Sequence, residues 1–598
     1  MTSSYSYYSR YPRVGAAATA MALLILLAVI PTPARAQAPA WSRDDAAHLI
    51  RRAGFGATPG QIDRLYALGR DGAVDYLIAG KLPEGASAPF AHAELPAFAF
   101  DPDLQAKKQG PVTQFELQKL RAWWIDRMVR TDRPLEEKMS LFWHGLFTSG
   151  FREVKNVRWL AKQNELFHKE AIGNYKRLTH EIIHDPAMLR YLNNDQNIKG
   201  RPNENLAREL MELFTMGEGN GYAEKDIGQV ARALTGMTVN PRQEAAMFFP
   251  KRHDDGMKTI FGKTGNYGPD DVVNLIFDRP YPAHHLAERL WVYFGTPEPA
   301  QADVNAVADA LRTHNWEVAP ALRVLFTSPA FYSDQTRDVM IKSPVDLEVS
   351  TLRLLEEPPQ PRLLAVSAGG LQQLGEALFQ PPNVKGWVGG EHWITSGTIF
   401  ARYRICEAMA GGAFGANFGN NPGGKFGGKA GKLRNAAKLQ KLGNDANSAP
   451  QSATVDTKNP ATTAAAEIGA NQPKANTTPA PKAPATIADA RRDRVVAERM
   501  AQRQRVLAEL AKIPPLPPAE QMVAPAKLFA ALGAHPTAVQ LVDAAVTRFI
   551  QQPLPTEKKT ALVNALGNKP LVLGELPTDQ RVRQMIGLLL STPEYQME

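Results

Sequence analysis

Two histidines and a glutamate stand in the pattern that zinc peptidases use to hold and activate a water molecule. His180, Glu181 and His184 form a His-Glu-x-x-His segment. On a helix this spacing places both imidazoles on one face, one turn apart, and the glutamate can act as the general base. A third ligand is needed, and Glu204 lies at a plausible distance downstream. The pattern predicts a zinc site at His180, His184 and Glu204, with Glu181 as the catalytic residue.

The residues after this motif favour a second interpretation. Asp185 and Pro186 follow His184 directly, and a proline disfavours helical backbone in the residue before it, so we expect the helix to end at His184. Protonated histidines in a last helical turn interact favourably with the helix dipole. The segment is therefore also typical of an exposed helix end that binds no metal.

A second candidate site lies on the helix predicted for residues 203–214. Glu204, Arg208 and Glu209 share one polar arc of this helix, and Asn203 stands at its predicted start. If the arc lines a cleft, its carboxylates can bind a cation and its guanidinium can hold an anionic group. If the arc faces solvent, it is a ladder of ion pairs between residues four apart.

The segment RHDDG at 252–256 places His253 and Asp254 beside a second carboxylate and a glycine. Such a loop can contact a substrate or ligate a divalent ion, although its spacing is not that of a calcium loop. The alternative is a structural turn stabilised by an aspartate side chain. We expect His253 and Asp254 to complete a polar cleft with the helix at 203–214.

Aromatic surroundings give two further candidates. His144 lies in the apolar segment LFWHGLF at 141–147, where a histidine is either a binding residue or a core residue. Trp123, Trp124, Trp387 and Trp393 could form a platform on which a sugar stacks, although aromatic residues at helical spacing usually belong to a core.

The elements that must position these residues are helices. Apolar residues recur at spacings of three and four in five segments, which are 115–129, 136–146, 157–172, 203–214 and 304–311. No segment shows a convincing alternating pattern of a strand. The fold class predicted is mainly α, as one large multi-helix domain interrupted by a long disordered low-complexity insertion.

The composition sets the predicted boundaries of that domain. Its main part covers 37–410, and residues 411–487 are rich in Gly, Asn, Lys, Ala, Pro and Thr with few residues that could pack. We predict that 411–487 is disordered. Helical periodicity returns over 488–510, and 529–598 resembles four short helices, so 488–598 is expected to complete the helical domain.

The first 36 residues have the order of a secretory leader. Arg10 and Arg13 precede an apolar run at 15–30, and the segment Ala-Arg-Ala that ends at Ala36 has the pattern that signal peptidase cleaves. We predict cleavage near Ala36 and a periplasmic or secreted protein without a transmembrane anchor. The single cysteine, Cys406, suits an oxidising compartment because it cannot form a disulfide within the chain.

The net charge of +9 does not indicate a nucleic-acid-binding face. Residues 1–40 carry three arginines and no acid, while 411–486 carry nine basic residues and three acids. These two segments account for the whole excess, so the predicted folded part is neutral. Nucleic-acid binding requires clustered basic side chains that release counterions from phosphates. We therefore expect no nucleic-acid partner.

Several segments together resemble a bacterial family catalogued as domain of unknown function 1800. They are LFWHGLFTS at 141–149, PNENLARELMELFTMG at 202–217, ARALTG at 231–236, RHDDG at 252–256, KSP at 342–344, PPNVKGW at 381–387 and TPEYQ at 592–596. The resemblance implies an exported, mainly helical protein whose activity is not established. It also implies that a second exported protein is often encoded beside it.

Three functions remain open from the sequence. The first is a binding or assembly role with a co-exported protein at the polar cleft, and the second is a zinc-dependent hydrolase that uses the His-Glu-x-x-His motif. The third is a carbohydrate-acting enzyme. No cofactor is predicted beyond the zinc that the second function requires.

Overall fold

The structure is a computed structural model that describes residues 40–82, 84–91, 95–99, 110–240, 245–356, 361–411 and 523–598. The predicted leader, almost all of the predicted insertion and the periodic segment at 488–510 lie outside these described residues. Residues 42–598 belong to one compact unit.

The described residues confirm the mainly α prediction. Ten α-helices of the described residues precede residue 210, at Arg43–Arg52 (α1), Pro59–Ala67 (α2), Gly69–Ala79 (α3), Gly110–Arg130 (α4), Pro134–Leu146 (α5), Phe151–Val154 (α6), Val157–Lys169 (α7), Tyr175–Ile183 (α8), Pro186–Tyr191 (α9) and Asn205–Glu209 (α10). Side chains define several boundaries: Asn156 caps α7, Asn174 caps α8 and Asp185 caps α9, each accepting a backbone N–H.

The remaining helices continue this pattern to the end of the sequence. They are Glu224–Ala233 (α11), Pro269–Phe277 (α12), Tyr281–Phe294 (α13), Gln301–Thr313 (α14), Val318–Thr327 (α15), Pro344–Leu355 (α16), Pro361–Leu374 (α17), Ser396–Gly411 (α18), Pro525–Leu528 (α19), Ala538–Ala545 (α20), Thr556–Leu566 (α21), Leu576–Leu590 (α22) and Pro593–Gln596 (α23). Four of them follow Phe529, as expected. Among all the described helices, none is both long and apolar enough to span a bilayer.

Two short antiparallel hairpins interrupt the helices between α11 and α12. Met237–Asn240 (β1) pairs with Ala245–Phe248 (β2), and Lys258–Ile260 (β3) pairs with Lys263–Gly265 (β4). The sequence does not predict these strands, because each has only three or four residues and is too short to show an alternating pattern.

The helix of the 202–217 segment changes its winding in the middle. After α10 the chain continues as a π-helix over Leu210–Thr215. Two carbonyl groups of this turn are satisfied by side chains from other helices, because the Tyr175 hydroxyl donates to Phe214 and the His285 imidazole donates to Leu213. Wide turns of this kind are frequent at functional sites.

Helices on the two sides of the stretch 412–522 pack against each other. Helix α18 ends at Gly411 and lies along α22, where Gly587 permits a close approach. A Cβ atom at Gly587 would lie 3.3 Å from the backbone of Glu407. The described residues after 522 therefore contribute to the same helical core as those before 412.

Buried ion pairs join helices that are distant in the sequence. Lys138 on α5 binds Asp346 on α16, and Arg52 on α1 binds Glu598 with 2.9 Å between Nη1 and Oε1. All four side chains are at most 8% exposed. Charges can stay buried at this depth only when they are paired and hydrogen-bonded.

The KSP segment at 342–344 lies beside these pairs. Lys342 is buried, and burial lowers its pKa to about 8. Its backbone carbonyl accepts a hydrogen bond of 2.7 Å from Arg402, which also donates to Gln596. A cavity of about 10 Å³ separates Lys342 from Glu598, which is room for about one water molecule. The segment therefore has a structural role in the core.

Replacing Lys138 by Met should lower the free energy of unfolding by about 3–5 kcal/mol, because Asp346 would remain buried without its cation. The matched control is Arg312→Met, which removes the cation from an exposed pair with Asp309 and should cost at most about 0.5 kcal/mol. Urea denaturation at pH 7 measures both. A loss below about 1 kcal/mol for Lys138→Met would contradict the structural role of the pair.

Candidate functional site

The His-Glu-x-x-His segment ends a helix, as its following proline predicts. Helix α8 stops at Ile183, and His184 forms its C-cap. His180 Nδ1 and His184 Nε2 lie 2.9 and 3.1 Å from the same atom, Oδ1 of Asp270. Asp270 lies in the first turn of α12. The two imidazoles thus share one exposed carboxylate from a neighbouring helix.

The other members of the predicted zinc site point to different partners. Glu181 pairs with Lys169 at 3.3 Å, and Glu204 pairs with Arg208 at 3.2 Å. Burial raises the pKa of Asp270, but hydrogen bonds from the two histidines outweigh that effect and lower it. No three His, Cys, Asp or Glu side chains of the described residues form a group that could hold a metal. The predicted zinc set is therefore not assembled.

The polar arc of α10 is mainly a solvated ion-pair ladder. Arg208 binds Glu204 and Glu212 at 3.2 Å, and it also pairs with Glu224 from α11. The hydrogen bond that Arg208 donates to Glu224 is the largest cause of the raised pKa of Arg208. Arg208 and Glu204 are partly exposed, which agrees with the alternative of an ion-pair ladder that Glu224 extends. The predicted cleft between these residues and His253 stays a prediction.

The RHDDG loop is held by the neighbouring ARALTG segment. Arg232 binds both carboxylate oxygens of Asp254, at 2.7 and 3.0 Å, and Thr235 accepts from the Asp254 backbone N–H. His253 Nδ1 donates to the Thr235 carbonyl at 2.9 Å. The Arg232 hydrogen bond is the largest cause that lowers the pKa of Asp254 to about 2. These contacts give His253 and Asp254 a structural role, and their predicted binding role stays a prediction.

Asn203 also has a structural role. Its side-chain oxygen accepts from the backbone N–H of Asn205 at 3.0 Å, which fixes the start of α10. Its own backbone N–H donates to the buried Asn197 side chain at 2.9 Å. Side chains of this type commonly stabilise helix starts through local hydrogen bonds. This local hydrogen bond gives Asn203 a structural role, and its predicted binding function stays a prediction.

His144 is a core residue. It is 2% exposed, its Nε2 lies 3.1 Å from the Asn164 amide nitrogen, and it contacts the Trp124 and Phe167 rings. Burial lowers its pKa to about 3, so the imidazole is neutral at physiological pH. A ligand at the surface could not reach it. The prediction of His144 as a binding residue was wrong because α5 turns this side chain into the interior.

The four tryptophans do not form a sugar platform. Trp124 and Trp393 are buried, and the Trp124 indole donates to the buried Glu137 at 3.1 Å. Trp123 donates to the Pro96 carbonyl at 2.8 Å. The helical spacing of the aromatic residues favoured a position in the core, and Trp124 is buried there.

Two of the segments that carry the family resemblance meet at one close backbone contact. Gly386 has a φ of 79°, and a Cβ atom there would lie 2.5 Å from the Gly145 carbonyl oxygen. The Thr148 hydroxyl donates to the Val384 carbonyl beside it. Only glycine fits at 386, because the backbone is left-handed and the space is filled. This contact brings the 381–387 segment next to α10.

Four side chains surround the surface above this contact, and we call them the Glu209 face. They are Glu153, Tyr191, Glu209 and Lys385. Burial and then the charge of Glu212 raise the pKa of Glu209, while Arg208 and Lys385 act in the opposite direction. Burial raises the pKa of Tyr191 to about 12, and the carboxylates of Glu153 and Glu209 add to that shift. Only Glu209 was singled out from the sequence.

Glu209 differs from its neighbours in having no close ion pair, although the charges of Arg208 and Lys385 act on it from farther away. It is half-buried, and its carboxylate has neither an ion pair nor a hydrogen bond within the described residues. Glu204 and Glu212, on the same helical segment, both bind Arg208. A half-buried, unpaired carboxylate is under a desolvation penalty that an incoming cation would relieve.

A buried carboxyl group lies behind this surface. Asp185 Oδ1 accepts from the Met188 backbone N–H at 2.8 Å and from the Gln163 amide at 2.7 Å. Gln163 also donates to the Ser149 hydroxyl at 3.0 Å. Burial raises the pKa of Asp185 to about 7 despite these hydrogen bonds. The three side chains are each at most 6% exposed, so they support the surface without contacting solvent.

Asp185→Asn should remove a pH dependence of stability. Folding raises the pKa of Asp185 from 3.8 to about 7. The carboxyl group therefore stabilises the fold most below its unfolded pKa, and this contribution is lost as the pH rises through the folded pKa. As the pH rises from about 4 to 7, the free energy of unfolding of the parent should fall by a few kcal/mol relative to that of the variant. The neutral amide of the variant does not titrate and retains the helix cap. Urea midpoints from pH 4 to 8 measure this difference, and parallel pH profiles would contradict the assignment.

One comparison with known proteins gives a match. No curated protein and no solved structure matches the chain. The family model described as protein of unknown function (DUF1800) matches residues 48–597, which include every described segment that carries the resemblance. The chain therefore belongs to the DUF1800 family.

Proposed function

We propose that this chain is an exported binding protein that docks a co-exported partner on the Glu209 face, through a basic side chain of that partner. Export rests on the leader pattern of residues 1–36 and its cleavage pattern near Ala36. The partner class follows from the charge of the face, which carries the two carboxylates of Glu153 and Glu209 and one cation, Lys385.

The observation that carries the proposal is the unpaired carboxylate of Glu209. The surrounding acids Glu204, Glu212 and Glu224 all pair with Arg208, whereas Glu209 is half-buried and has no ion pair within the described residues. A lysine or arginine from a partner would supply the missing cation and would exclude water from the pair. The energetic gain is larger there than at an exposed acid.

The depth of the nearby reactive groups favours binding over catalysis. Ser149 and Asp185 are buried, so a substrate on the Glu209 face would not reach them. Lys385 is exposed and can donate hydrogen bonds to a partner, whereas the partly buried Tyr191 hydroxyl already bonds to Thr148. A rigid support with polar groups at its surface is what a protein-docking site requires.

Glu209→Gln should weaken binding without weakening the fold. We expect Kd for the partner to rise at least about tenfold, because the attraction for the partner's cation is lost. The unfolding free energy at pH 7 should stay equal or increase, because a carboxylate whose pKa is raised is replaced by a neutral amide. Calorimetric titration with the exported protein encoded beside the gene measures the affinity.

Glu224→Gln is the matched control, because it removes an exposed acid on the same surface that already has Arg208 as its partner. Its Kd should stay within about twofold of the parent value. Equal losses in both variants would indicate a general effect of surface charge. An unchanged Kd in Glu209→Gln would refute docking at this face.

A further inference from the structure

A surface cleft of about 640 Å³ lies where the π-helix ends. Its walls come from Met216 and Asn220 after the π-helix, from one face of α13, and from the loop and first turn that lead into α14. Sites for small organic ligands typically have volumes of about 300–1,000 Å³. The cleft is therefore large enough for a molecule and too large for a bare ion.

The imidazole of His285 is part of the wall of this cleft. Its Nε2 lies 2.8 Å from the Leu213 carbonyl oxygen, which can only accept, so Nε2 carries the proton. Burial lowers the pKa of His285 to about 4, and the ring is neutral at physiological pH. Nδ1 is therefore a hydrogen-bond acceptor, and no hydrogen bond to it comes from the described residues.

Two amide side chains in the wall also use their donor within the protein and keep an acceptor. Asn220 uses its nitrogen to donate to the Met216 carbonyl at 3.1 Å, and Gln301 uses its nitrogen to donate to Asn305 at 2.9 Å. Their side-chain oxygens remain as acceptors. Tyr281 and His284 complete the polar part of the wall and can either donate or accept.

Two carboxylates add negative charge. Glu288 and Glu298 line the cleft, and neither has an ion pair or a hydrogen bond within the described residues. The nearby cations are not part of the wall: Arg279 donates to the Gly221 carbonyl at 3.2 Å, and Arg289 follows Glu288 on α13. The charge of the wall is therefore not compensated by the groups that line it.

We infer that this cleft binds an organic cation that donates several hydrogen bonds, namely a guanidinium or primary ammonium group on a short hydrocarbon chain. The wall supplies acceptors at His285, Asn220 and Gln301 and charge at Glu288 and Glu298. Prolines, Met216 and Val304 supply apolar contact for the hydrocarbon part. The site is separate from the Glu209 face and does not depend on the function proposed there.

Butylguanidinium and butylurea test this inference, because they have nearly the same shape and only the first is a cation. Calorimetric titration of the full chain should give saturable binding of butylguanidinium and at least about tenfold weaker binding of butylurea. The double variant Glu288→Gln, Glu298→Gln should bind butylguanidinium at least about tenfold more weakly, because both charges are lost. Its thermal midpoint should stay near that of the parent.

Glu218→Gln is the matched control, since Glu218 is an exposed acid in the same loop as Asn220 but does not line the cleft. It should leave the affinity within about twofold of the parent value, and Glu209→Gln should do the same. Equal affinities for the two probes, or no saturation below about 10 mM butylguanidinium, would overturn the inference. A double variant that is folded and binds like the parent would also overturn it.

Discussion

The burial of charge between α1, α5, α16 and the end of the sequence is the constraint on which this fold depends. Lys138, Asp346, Arg52 and Glu598 can be buried only while all four stay paired, since each carries a desolvation cost that its partner offsets. The Glu598 backbone also pairs with Met340, which fixes the last residues beside α16. Segments separated by hundreds of residues therefore have to fold together before any of these charges is satisfied.

The segments that carry the family resemblance act largely on one another. Arg232 fixes Asp254, Thr235 fixes His253, and Gly386 packs against Gly145. Clustered polar residues in such segments would ordinarily suggest catalysis or ligand binding. Here most of them form hydrogen bonds with backbone groups or pair with neighbouring charges. Glu209 is the exception, because it has no ion pair or hydrogen bond within the described residues, and the charges of Arg208 and Lys385 only partly offset its burial. A charged side chain that the folded protein leaves without an ion pair is a candidate for binding an external partner.

The π-helix connects backbone geometry with the chemistry of the cleft. Its wide turn leaves the Leu213 carbonyl without a helical donor, and His285 supplies the proton for that hydrogen bond. This hydrogen bond fixes the tautomer of His285 with the proton on Nε2, and it leaves Nδ1 as an acceptor on a residue that lines the cleft. Asn220 behaves in the same way toward Met216 at the end of the segment. Backbone carbonyl groups therefore take up the donors of His285 and Asn220, and the acceptors of these side chains remain. Glu288 and Glu298 add negative charge to the wall.

The sequence by itself determined the helical class, the end of α8 before Asp185-Pro186 and the family, because periodicity, proline geometry and recurrent segments are local properties of the chain. It also named Glu209, but as one of several equivalent acids on α10. Only the tertiary structure decided that Glu224 completes the ladder at Arg208, that Asp270 lies between His180 and His184, and that His144 points inward. The physical reason is that pairing and burial depend on neighbours from distant segments, and a side chain's type and spacing do not specify which neighbour arrives.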